Sequence, residues 1–199
     1  MTAGPIALAL ELAALLDALG VPYVTGGSVA SSLVGEPRAT MDLDLAVDLA
    51  SHQVDPLVTA LGADWYVSRD AALDAVHRRS SFNLIHLDTM QKVDLFVLGD
   101  SLLDRRQLVR RRRVQIGEKP SRALWVGSPE DQVLRKLAWY RLGGEVSERQ
   151  WADVVAILRV QAERLDDEDL LAAARELSLD ELLQRAQDDA RALETSRWT

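Results

Sequence analysis

The sequence predicts an α+β fold: a mixed sheet flanked by helices, followed by a C-terminal helical region. Three observations carry this. Leu43, Leu45 and Val47 alternate with Asp42, Asp44 and Asp48, the period of a half-buried strand. Residues 82–87 and 93–98 form two more strand-like runs, close enough in the chain to be hairpin partners. From Ser128 onward the pattern changes to capped helices.

Taken in order, Leu8, Leu12, Leu15, Leu16 and Leu19 recur at helical spacing, and Gly20 is placed to stop that helix. Val21 to Thr25 reads as a short strand running into Gly26-Gly27-Ser28, and Ser28 to Val34 as a short helix. After the alternating strand, Asp55-Pro56 predicts a cap and first helical position, with Gly62 ending the helix. Ser101 and Asp104 resemble a capping box. Ser128-Pro129-Glu130 supplies a cap, a first-turn proline and an acid at the positive helix end. That helix should reach Gly143-Gly144. Ser147 with Gln150 caps the next, and two helical segments follow near 169–177 and 179–193. The predicted organisation is an α/β domain over 1–127 and a helical region over 128–199 packed on it, without a long linker.

Composition narrows the function classes. The chain has 199 residues, of which 48% are hydrophobic, enough to bury a core. There are no cysteines, which excludes disulfides and thiolate metal sites. The start lacks a basic segment, and Glu11 interrupts its apolar run, so a signal peptide is not expected. No apolar stretch approaches the roughly 20 residues of a membrane span. Cytoplasmic residence and no membrane partner are the expectation. The net charge of −8 disfavours non-specific nucleic-acid binding, because phosphates are repelled overall. Arg105, Arg106 and Arg110 to Arg113 are the concentrated basic patch; they read either as a solvated face or as a contact for a polyanion.

The chemistry is concentrated in two short segments. Alternate strand residues share a face, so Asp42 and Asp44 should project side by side while Leu43 and Leu45 enter the core. Neighbouring carboxylates repel unless a cation lies between them, and an all-oxygen set selects a hard ion such as Mg²⁺ or Mn²⁺. Asp94, between Val93 and Leu95, offers a third carboxylate from another strand. Three carboxylates can hold two ions roughly 4 Å apart. A strand that turns through Gly-Gly-Ser into a helix offers backbone N–H groups and a positive helix end to an anion, with Ser28 adding a hydroxyl. Taken alone, a Gly-Gly is usually a turn and an Asp-x-Asp a solvated face. Asp48 reads that way. The sequence completes neither a dinucleotide fingerprint nor a Walker loop, and His52, His77 and His86 lack zinc-site spacing.

Gly26-Gly27-Ser28, then Arg38-Ala39-Thr40-Met41-Asp42-Leu43-Asp44, then Asp94 resemble the minimal nucleotidyltransferase (polymerase-β-like) superfamily. The Arg-x-Thr-x-Asp-x-Asp string and the later Ser128-Pro129-Glu130-Asp131…Lys136-Leu137 helix resemble its AbiEii-like toxin group. The resemblance covers roughly residues 21–47, 92–96 and 128–158. It implies a nucleotidyltransferase-type sheet with a C-terminal helical bundle. It implies that Asp42, Asp44 and Asp94 hold the metals, and that Gly26, Gly27 and Ser28 meet the triphosphate of an NTP. Arg38, Thr40 and Lys136 would support the nucleotide or the site. The implied reaction moves a nucleoside monophosphate to an unknown acceptor: RNA, a protein or a small molecule. A toxin-type enzyme with an antitoxin-like partner, or an inactive nucleotide-binding module, are the alternatives. Retention of all three Asp residues speaks against the last. Lys136 lies off the densest apolar stripe of its helix and is expected near the surface, with Asp153 able to orient it.

Overall fold

The computed structural model describes residues 4–34, 43–118 and 122–195. Helix α1 (Pro5–Ala18) has proline in its first turn, where no amide partner is needed, and buries Leu8, Leu12 and Leu16. Gly20, with φ of +64°, turns the chain into β1 (Tyr23–Thr25). Helix α2 (Gly27–Val34) and strand β2 (Leu43–Val47) follow.

The next helix, α3 (Ser51–Leu61), corrects a sequence expectation. Asp55-Pro56 does not open it; Pro56 lies inside. The start moves upstream because the Gln53 side-chain oxygen accepts the Ala50 N–H at 3.1 Å and closes the first turn. Asp55 instead takes a two-pronged hydrogen bond from Arg69, at 2.5 and 3.0 Å. That guanidinium also holds the Asp55 carboxyl below the usual carboxylate range.

Strand β3 (Trp65–Val67) and helix α4 (Arg69–Arg78) have no counterpart in the sequence reading. The strand has only three residues, and the helix carries only Ala72, Ala75 and Val76 inward, a faint stripe. Strands β4 (Ser81–His86) and β5 (Gln91–Val97) form the expected antiparallel pair. Helix α5 (Leu102–Val109) starts at Ser101, whose hydroxyl accepts from the Asp104 amide and donates to its carboxylate. Strands β6 (Arg112–Gln115) and β7 (Ala123–Val126) complete the set.

The seven strands form one mixed sheet in the order β3-β4-β5-β2-β1-β7-β6. The β2–β5 and β1–β7 pairs are parallel and the others antiparallel. Its two faces differ sharply. Leu43, Leu45, Val47, Val93, Leu95, Val97, Phe82, Leu84, Leu124 and Val126 share one face and are buried. On the other, Asp44, Ala46, Asp94, Phe96 and Trp125 are half-buried, and Lys92, Asn83 and Arg113 are exposed. One face makes core; the other can meet a ligand.

The described residues fall into two compact units, one of residues 4–30, 43–118 and 122–127, the other of 31–34 and 128–195. The second holds α6 (Pro129–Leu142), α7 (Glu148–Val160), α8 (Asp167–Glu176) and α9 (Asp180–Thr195). Ser128, Ser147 and Asp166 cap the first three through their side-chain oxygens. Val133, Leu134, Leu137, Val154, Ile157, Leu170, Leu182 and Leu183 are buried. Among the described residues no helix is long and apolar enough to cross a membrane.

Candidate active site

The site grows from the end of β1. The Gly26 N–H donates to the Asp44 carbonyl at 2.9 Å, which ties the turn to β2. The Gly26 carbonyl accepts from Ala30 at 3.1 Å and so begins α2. Gly27 has φ of +55°. A Cβ built there would sit 2.7 Å from Asp44 Cγ and 3.1 Å from Asp44 Cβ, and would collide with the carboxylate oxygen itself. Only glycine lets the turn lie this close to Asp44. Gly26 is less constrained, its nearest such neighbours lying at 3.7 and 3.9 Å. Ser28 is 6% exposed, at the first turn of α2.

The parallel register of β2 and β5 sets Asp44 opposite Asp94. Registered neighbours point to the same face, so both carboxylates project from the half-open side of the sheet. Asn83, opposite Asp94 on β4, extends the polar row across a third strand. Lys92, two residues before Asp94 and on the same face, places its ammonium 2.8 Å from Asp94 Oδ2. Strand periodicity alone marks Lys92 and Asn83 as companions of the acidic residues, and the sequence reading passed over both.

Of the residues singled out from the sequence, Gly26, Gly27, Ser28, Asp44 and Asp94 belong to the first unit, where Gly26 and Gly27 meet Asp44 and Asp44 is aligned with Asp94. Arg38, Thr40 and Asp42 lie outside the described residues. Among the described residues no three His, Asp or Glu side chains group closely enough to hold a metal ion.

Lys136 belongs to the second unit and corrects the expectation of a surface position. It is 9% exposed, and its ammonium meets Asp153 Oδ2 at 2.8 Å. The apolar stripe of α6 is not all that is buried: Glu130, Asp131 and Gln132 in its first turn are buried as well, while Trp139 and Leu142 nearer its end are exposed. Glu130 accepts the Asp166 N–H at 3.1 Å, linking the starts of α6 and α8.

The arginines divide into two kinds. Arg111 is held in place, donating to the Tyr23 carbonyl at 3.1 Å and lying 4.7 Å over the Trp125 ring. Arg105, Arg112 and Arg113 are exposed. His86 packs edge-on against Trp65, with ring centres 4.9 Å apart.

No family model matches the chain, and no curated protein matches it in sequence. Solved structures do. A nucleotidyltransferase-like antigenic protein from Paracoccidioides brasiliensis superposes with a TM-score of 0.56 at 20% identity, covering 94% of this chain and 93% of its own. The crystal structure of ANT(2'')-Ia in complex with adenylyl-2''-tobramycin gives a TM-score of 0.57 at 16% identity, covering 87% and 98%. The solution structure of the antibiotic-resistance factor ANT(2'')-Ia gives 0.52 at 15% identity, covering 90% and 97%. These similarities span most of both chains and place this protein in the nucleotidyltransferase fold.

Proposed function

We propose that the protein is a metal-dependent nucleotidyltransferase that moves a nucleoside monophosphate from an NTP to an acceptor hydroxyl and releases pyrophosphate. The observation that carries this reading is the alignment of Asp44 with Asp94 on the half-open sheet face, with Gly27 packed against Asp44. A fold similarity at this identity does not by itself assign an activity, and the site chemistry is what extends it to one.

The donor set suits a hard divalent ion. Both aligned groups are carboxylates on adjacent strands, and the glycine turn packs directly against the Asp44 carboxylate. Asp42, by strand alternation, is the proposed third ligand. One or two Mg²⁺ or Mn²⁺ ions there supply positive charge for the phosphate oxygens in the transition state. The remaining work falls to the chain. Gly26, Gly27 and Ser28 orient the triphosphate at the start of α2, where amide groups favour an anion. Asp44 and Asp94 fix the reacting centre by holding their carboxylates on a rigid sheet. Asp94 takes the acceptor proton as the acceptor oxygen bonds to the α-phosphorus and the bond to the β-phosphate oxygen breaks.

The acceptor class follows from charge. A chain of net charge −8 suits a cationic acceptor better than a polyanionic one. The adenylyl-2''-tobramycin bound to ANT(2'')-Ia makes aminoglycoside hydroxyls the first acceptors to try. The test is incubation with each labelled NTP, Mg²⁺ or Mn²⁺, and either tobramycin or a cell extract. Labelled product is expected with the wild type and its loss with Asp44→Asn. Failure of every NTP to label any species would overturn the reading.

A further inference from the structure

The Lys92–Asp94 pair has no place in the reaction just described. Lys92 stands on β5 two residues before Asp94, so both side chains rise from the same face. Its ammonium lies 2.8 Å from Asp94 Oδ2, with the Lys92 side chain 56% exposed and that of Asp94 23% exposed. A carboxylate oxygen bound to an ammonium is not equally available to a metal ion, because two cations at that separation repel. The same ammonium also offsets part of the repulsion between Asp94 and its register partner Asp44.

We propose that Lys92 is a resident counter-cation for Asp94, which competes with the divalent ion for this carboxylate and so weakens metal binding. The inference rests on the metal-dependent reading of Asp44 and Asp94. Lys92 is a positioning residue in this scheme: it acts on the site through Asp94. A neutral side chain of similar length should leave Asp94 more open to the ion, while the protein without the ion should lose stability because the carboxylates are less well compensated. An arginine, which keeps the charge, should preserve both properties.

The experiment is a Mn²⁺ titration without nucleotide, followed by electron paramagnetic resonance of free Mn²⁺, on wild type, Lys92→Met, Lys92→Arg and Asp94→Asn. Circular dichroism checks that each is folded. Lys92→Met is expected to bind Mn²⁺ roughly five-fold more tightly, the factor that corresponds to the ~1 kcal/mol of a partly exposed ion pair. Its melting temperature should also rise more on Mn²⁺ addition than that of the wild type. Lys92→Arg should stay near wild type. Unchanged or weaker Mn²⁺ binding by Lys92→Met, with binding that Asp94→Asn abolishes, overturns the inference and leaves the metal site standing. Equal tightening by Lys92→Arg and Lys92→Met also overturns it, since the effect would not follow charge. The absence of saturable Mn²⁺ binding to every protein overturns the metal-dependent reading, and this inference with it.

Discussion

At Gly27 two constraints coincide: a backbone in the left-handed region, and an Asp44 carboxylate where a side chain would begin. Either one disfavours any other residue. Gly27→Ala must accept a strained φ at about 1–2 kcal/mol and also push Asp44 aside. It should therefore unfold at clearly lower urea and bind Mn²⁺–NTP poorly. Gly26→Ala, with ordinary contact distances, should change the urea midpoint little. Equal behaviour of the two variants in urea would show that the turn relaxes around a Cβ. Much of this residue-level picture was legible in the sequence. The alternation around Asp44 and the Val-Asp-Leu of β5 mark carboxylates on two strands, pointing away from the leucines and valines of the core face. The contact between Gly27 and Asp44 was not legible, because it joins residues brought together only by the β1–β2 pairing.

Elements were read best where a side chain marks the boundary. Ser101, Ser128 and Ser147 announce their helices and cap them by the same hydroxyl bond. They are least legible where no capping Ser, Thr, Asp or Asn marks the boundary or where the run is short, as at Ala50 of α3, closed by the Gln53 side chain, and throughout β3. Burial of Lys136 belongs to this group. An apolar stripe does not reveal that the polar residues Glu130, Asp131, Gln132 and Lys136 of the same helix are buried as well. The Lys136–Asp153 pair lies within the helical unit, with side-chain exposures of 11% and 10%. Removing one partner of such a pair strands the other charge. Lys136→Met should therefore destabilise the protein by about 3 kcal/mol in chemical denaturation, and Lys136→Met with Asp153→Leu should recover most of that loss. If Lys136 also serves the triphosphate, the single variant will in addition lose NTP affinity while nucleoside affinity holds.

For the whole molecule, the sequence supplied the fold class and the start of the helical series at Ser128, and the strand order came only with the structure. Strand order depends on which edges pair, and nothing local in β1 dictates that it lies between β2 and β7. Net charge was legible at once and has its own consequence. A chain of charge −8 repels an NTP at long range, and salt screens that repulsion over about 8 Å at physiological ionic strength. Arg111 is committed to Tyr23 and Trp125, so the basic segment presents fewer free cations than its sequence suggests. Raising salt from about 50 to 300 mM should thus leave Mg²⁺–NTP affinity within roughly three-fold, and converting Arg112 and Arg113 to Ala should not alter that response. A steep decline with salt, abolished in the arginine variant, would identify these residues as a polyanion contact.

The pairing of β2 with β5 also bears on how the protein reaches this state. Asp44 and Asp94 are fifty residues apart in the chain, yet the strands that carry them are side by side and parallel. The β4–β5 hairpin spans a short loop and can form early, whereas the β2–β5 seam must first close a long one, with the corresponding entropy loss. A nascent or partly refolded chain can therefore hold native strands while its two carboxylates are still apart. Recovery of Mn²⁺ binding should then lag recovery of secondary structure in a refolding experiment, and the ion itself becomes a timer for closure of the central seam.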